Sequence, residues 1–163
     1  MLTASLTSFR HLHEKLLRDF ARLSNEVTGD AFFDFVVTGY SLIDWVKNDP
    51  SIHAAAKSDV DILYDDTWLR ICGDIATGMK HFTLRKRTPV TSSVSSSEGF
   101  GLGRFGKGDY GVGEQSIVVL LKSGQTYDCS ELAEGVTQSW ASFIQRHGLC
   151  KLTAKDRSRA AAI

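Results

Sequence analysis

The chain has 163 residues, 42% of them hydrophobic and 23% charged, the proportions of an ordinary globular domain. Nineteen Lys and Arg balance nineteen Asp and Glu, so no global charge draws the protein to nucleic acid or to a membrane surface. Cys72, Cys129 and Cys150 are an odd number without a CxxC pair, which argues against a disulfide framework or a cysteine zinc site and fits a reducing compartment.

The charge is unevenly spread. Between Glu26 and Asp66 nine acids face only Lys47 and Lys57, whereas Arg85 to Lys107 holds five bases and one acid. The segment from Lys151 to Ile163 adds four bases and one acid. Solvated surfaces of opposite sign explain this pattern, and so does a basic rim facing phosphates. The N-terminal residues MLTASLTSFRHLHEK contain no signal-peptide apolar core, and no apolar run reaches the ~20 residues of a membrane span. The expectation is a cytoplasmic protein with no membrane partner.

Taken in order, Thr7 or Ser8 caps a first helix to about Asn25, with Phe9, Leu12, Leu16, Phe20 and Leu23 as its apolar stripe. His11 and His13 fall off that stripe, on a face expected to be solvated. Thr28-Gly29-Asp30 breaks the chain and opens a second helix to Asn48, whose core face is Phe32, Phe35, Val36, Gly39, Ile43 and Val46. A mid-helix glycine costs about 1 kcal/mol relative to alanine, so Gly39 predicts the close approach of a neighbouring helix. Pro50 ends this helix. Gly39-Tyr40-Ser41 with Asp59 and Asp61 imitates a nucleotidyltransferase signature. That motif needs its glycine and serine between a strand and a helix, and here they lie inside an amphipathic helix.

Residues 64–82, YDDTWLRICGDIATGMKHF, organise the chain. Tyr64, Trp68, Ile71, Ile75, Met79 and Phe82 fall on one helical stripe, and Asp66, Arg70, Asp74, Thr77 and His81 on another. Asp66–Arg70 and Arg70–Asp74 have the spacing of helix-surface pairs.

Thr88 to Val94 alternates toward a strand that Pro89 confines to an edge or to its own first residues. The Ser- and Gly-rich stretch 92–113 reads as a flexible excursion. Its Gly101-Leu-Gly103-Arg-Phe-Gly106 matches GxGxxG without the flanking strand and helix of a dinucleotide site. Stacking of Phe100, Phe105 and Tyr110 on bases, helped by Arg104 and Lys107, is the functional alternative. Ser116 to Leu121 is an unambiguous strand, Lys122 to Gln125 turns it, and Thr126 to Asp128 returns. Asp128 and Glu131 have capping-box spacing and open a last helix to His147, with Leu132, Val136, Trp140, Phe143 and His147 as its inner stripe and Gly148 ending it.

The fold class expected is α+β. It consists of a bundle of three long N-terminal helices plus a C-terminal helix, with a small antiparallel hairpin or three-stranded sheet. One domain spans residues 1–150 and a basic tail 151–163. No cluster has metal-ligand spacing, and no cofactor motif is present.

The run Ile71-Cys-Gly-Asp74-Ile-Ala-Thr-Gly-Met-Lys80-His81-Phe82 looks like a pattern in bacterial helical proteins that resemble the HEPN superfamily, bundles common in toxin–antitoxin and phage-defence systems. The second helix, with Tyr40 and Asp44-Trp45, fits the same resemblance, which covers about residues 8–84. It implies a protein that binds or cuts RNA without a metal, alone or as a homodimer, with a protein partner or antitoxin. HEPN ribonucleases carry an arginine, a polar residue and then a histidine after four to six positions; here ten residues separate Arg70 from His81, and Ile71 follows the arginine. In a catalytic reading His81 is acid or base, Arg70 or Lys80 the cation at the phosphorane, and Asp74 orients the imidazole. In the alternative Arg70 and Asp74 form a surface pair and Lys80 or His81 satisfies the helix C-terminus. Arg85, Lys86, Arg87, Arg104 and Lys107 are the candidate phosphate contacts. The non-enzymatic alternative is a helical adaptor recruiting a protein partner.

Overall fold

A computed structural model describes residues 6–81, 88–99 and 114–149. The tail and residues 100–113 lie outside the described residues, as do Arg85, Lys86, Arg87, Arg104 and Lys107. Among the described residues, five α-helices and three strands follow in the order α1 (Phe9–Asn25), α2 (Gly29–Asn48), α3 (Ala54–Asp59), α4 (Thr67–His81), β1 (Thr91–Gly99), β2 (Glu114–Leu121), β3 (Thr126–Asp128) and α5 (Cys129–His147). The fold is α+β, and its three-stranded antiparallel sheet has the order β1-β2-β3. Among the described residues no helix is long and apolar enough to cross a membrane.

Local chemistry sets the helix ends. The Ser8 side chain accepts from the His11 amide, and Thr28 accepts from that of Ala31. Asp128 and Glu131 form a reciprocal capping box, and Gly148 closes α5 at φ 61°. The Asp49 carboxylate joins two elements. It accepts from the Phe9 amide at 2.6 Å, supplying a partner for the start of α1, and from the amide and hydroxyl of Ser51 just beyond α2. Burial works to raise the Asp49 pKa, but the Ser51 and Phe9 hydrogen bonds together with Lys57 outweigh it and hold the group below the ordinary range.

Three sequence expectations change. The central helix begins at Thr67, not Tyr64, because the preceding 3₁₀ turn (Val60–Tyr64) closes at Asp65 and Asp66 then accepts from the Trp68 and Leu69 amides, both at 3.0 Å. Its second face is not a solvated stripe, since every residue from Ile71 to Ala76 is buried and Asp74 is 3% exposed. The middle of the helix sits against α2, α5 and the start of β1, which covers Asp74, while Thr67 and Arg70 on its first turns stay accessible. Finally, the serine run 92–97 is strand, not excursion. Ser96 faces Ile117 and Ser95 faces Val118 in an antiparallel ladder whose bonds are main-chain, so side-chain composition does not preclude it.

One hydrophobic cluster runs from Phe9 on α1 to Ile144 on α5 and takes in Ile117, Val119 and Leu121 of β2. At its centre is Gly39. A Cβ there would lie 3.0 Å from Val136 Cγ1 on α5 and 3.5 Å from both Cys72 Sγ on α4 and Leu16 Cδ1 on α1. The Gly39 carbonyl accepts a buried hydrogen bond from the Trp140 indole at 2.9 Å. Four helices therefore meet at one missing side chain.

Gly39→Ala sets the ~1 kcal/mol helix-propensity gain against overpacking of about 1–3 kcal/mol, and its neighbours Leu16, Cys72 and Val136 are fully buried. We expect a net loss of about 1 kcal/mol in urea unfolding. Gly78→Ala on α4, where a Cβ meets nothing within 4 Å, should instead stabilise by up to ~1 kcal/mol. Equal effects at the two sites would remove the crossing point from this account.

Candidate nucleic-acid interface

Of the residues singled out in the sequence, Arg70 reaches an open site. It lies on the first turns of α4 and lines a cleft of about 320 Å³ with Thr67 and Ile71. Pro89 and Val90, ahead of β1, form a second wall, and Leu121, Lys122 and Ser123 of the β2–β3 turn form the third. Two basic residues thus line one cleft together with aliphatic residues, and among the described residues no carboxylate lines it.

The walls are fixed by hydrogen bonds that consume the nearby acid. Asp74 Oδ2 accepts from the Val90 amide at 2.7 Å and the Thr91 amide at 3.1 Å. The Val90 carbonyl accepts from the Lys122 amide at 2.9 Å. Val90 is therefore held on one side by α4 and on the other by the turn that carries Lys122. The turn closes on itself as the Leu121 amide donates to Gln125 O at 2.8 Å, with Gly124 at φ 86°. Asp66 is occupied at the other end, with Oδ1 on the helix amides and Oδ2 accepting from the Ser139 hydroxyl at 3.0 Å. Among the described residues neither flanking acid forms an ion pair with Arg70.

The proposed catalytic set spreads along the helix. At 1.5 Å rise per residue, Asp74 and His81 are about 10 Å apart along the α4 axis, and Arg70 and His81 about 16 Å. Lys80 and His81 are the last two residues of α4, and their side chains lie outside the described residues. Arg85, Lys86 and Arg87 immediately precede Thr88 and the Pro89 wall in the chain.

Other reactive groups are structural. Cys72 is fully buried, donates to the Val36 carbonyl at 3.2 Å and has its pKa pushed far up by burial. Burial, aided by Asp128, also raises Cys129, so neither thiol offers a thiolate nucleophile. His13, expected on a solvated face, stacks on Phe9 at 6.1 Å, and burial lowers its pKa against the pull of Glu14. Among the described residues no group of His, Cys, Asp and Glu could hold a metal ion.

Sequence reasoning missed Lys122, whose partnership with Arg70 depends on how the sheet docks on α4. The one local signal was a basic residue opening the Lys-Ser-Gly turn. It also missed Asp74 as an anchor, because helical spacing alone put that residue beside Arg70.

Removing the anchor tests the geometry. Asp74→Ala leaves two part-buried amides without their acceptor and should cost about 1–3 kcal/mol of stability in urea unfolding. A loss below ~0.5 kcal/mol would contradict the anchoring role.

Compared with known protein families, with characterised proteins and with solved structures, this chain matches none.

Proposed function

We propose that this protein binds RNA by its phosphates and holds the strand without cutting it. The observation that carries the reading is the convergence of Arg70 and Lys122, from distant parts of the chain, on one cleft that has no carboxylate among its described lining residues. Arg85, Lys86 and Arg87, next to Pro89 in sequence, and Arg104 and Lys107 of the glycine-rich segment are proposed as further phosphate contacts. The separation of Arg70, Asp74 and His81 along α4 favours binding over metal-free cleavage, which needs its acid, base and cation at one phosphate. The HEPN-like resemblance supplies the expected setting, a toxin or phage-defence system in the cytoplasm with a protein partner or a second copy.

The adaptor reading draws on a different surface. Ile62 is 58% exposed and Tyr64 is also exposed, and Ile62 borders a groove shared with Phe143 and Arg146 on α5. Recruitment of a partner there would require no nucleic acid.

Binding of a single-stranded oligoribonucleotide across a salt series separates these readings. Each phosphate contact on a single strand contributes about 0.7 to the slope of log K against log salt, so the Arg70→Gln/Lys122→Gln double variant should lower it by about 1.4. Gln at positions 85, 86, 87, 104 and 107 should flatten it further. An unchanged slope in the double variant would exclude the cleft, and no RNA binding by the unaltered protein would leave the adaptor. The RNA should remain full length throughout; cleavage abolished by His81→Ala would restore the ribonuclease.

A further inference from the structure

We propose that the Arg70–Lys122 cleft is built for a phosphomonoester, so that it recognises a nucleotide end rather than the interior of a strand. The inference rests on the RNA-binding reading for the source of the ligand, and on the cleft itself for the chemistry.

Charge comes first. Arg70 and Lys122 bring two basic residues to a cleft that no carboxylate lines among the described residues, and the acids on either side of Arg70 along the helix are engaged elsewhere. A phosphodiester inside a strand carries a single negative charge. A terminal phosphate carries up to two near neutral pH and offers three acceptor oxygens, matching a planar guanidinium plus an ammonium. Size points the same way. At about 320 Å³ the cleft is at the small end of ligand sites, enough for about one nucleotide unit and too small for a duplex.

The walls supply the rest. Pro89 and Val90, backed by the buried Ile71 and Leu121, give an apolar surface for the flat face of a base or sugar, and Thr67 and Ser123 provide hydroxyls at the margin. Val90 is pinned through both its amide and its carbonyl, so the backbone of this wall is set before a ligand arrives. The amides at the start of α4 are capped by Asp66, so the two side-chain cations must supply the contact.

A terminal phosphate can come from an RNA end or from a free nucleotide, and the test separates them. Fluorescence anisotropy on the full chain would compare one oligoribonucleotide sequence with a 5′-phosphate, a 3′-phosphate or hydroxyls at both ends. Calorimetry would compare 5′-AMP with adenosine. One phosphorylated end should bind at least about tenfold more tightly than the hydroxyl-ended strand, as expected for hydrogen bonds to a charged group. Arg70→Gln and Lys122→Gln should each erase that difference, bringing the phosphorylated strand down to the affinity the same variant shows for the hydroxyl-ended strand. The preference should also fade below about pH 6, where the phosphate becomes a monoanion. RNA binding that ignores the end phosphate would overturn end recognition and leave the RNA reading intact. Binding of 5′-AMP that depends on Arg70, without any RNA binding, would support the phosphomonoester site and overturn the RNA reading. Binding of neither would overturn both.

Discussion

The absent side chain at Gly39 is the constraint on which the bundle depends. α1, α4 and α5 each place an atom within 3.0–3.5 Å of where its Cβ would be, and the Trp140 indole reaches its carbonyl. A glycine in mid-helix normally weakens the helix by about 1 kcal/mol, and here that cost is offset by packing that no larger residue permits. Two related contacts extend the pattern. Gly73 on α4 faces the Tyr40 ring of α2, and Gly135 on α5 faces the Trp68 indole, with no room for a Cβ at either. Small residues of one helix thus receive aromatic rings of another, and this sets the depth at which α4 lies.

A deeply set α4 determines what its polar residues do. Asp74 cannot stand in water, so its carboxylate is committed to the amides that begin β1. The same logic explains much of the acidic bias of the first half. Asp49 serves the start of α1, Asp66 serves the start of α4, Asp34 pairs with Arg22, and Asp61 pairs with Lys47. Asp19 adds a further joint, accepting from Thr38 at 2.7 Å and pairing with Lys15 between α1 and α2. Several of the acids are therefore joints between elements.

The elements with strong local signals were legible in the sequence. The Ser8 and Thr28 caps, the Pro50 stop, the Asp128–Glu131 capping box and Gly148 all act within a few residues, and all are present. Gly39 was readable too, because a costly residue on an apolar stripe implies close contact. Three features were not legible, and each depends on distant partners. The Ser92–Ser97 strand is held by main-chain bonds to β2, the burial of Asp74 by the sheet packed over α4, and the meeting of Arg70 with Lys122 by a turn far along the chain. Helical periodicity sorts residues by face but cannot say how many faces a central helix buries. The candidate site was thus half visible, with Arg70 apparent and its partner hidden.

Backbone amide shifts during titration with a short single-stranded RNA test the central claim most directly, because they locate the contact without assuming any residue's role. The account predicts that the earliest and largest changes fall at Arg70, Val90, Lys122 and Ser123, on the three walls of one cleft. Shifts confined to the groove between Ile62 and Arg146, or no shifts at saturating RNA, would contradict it.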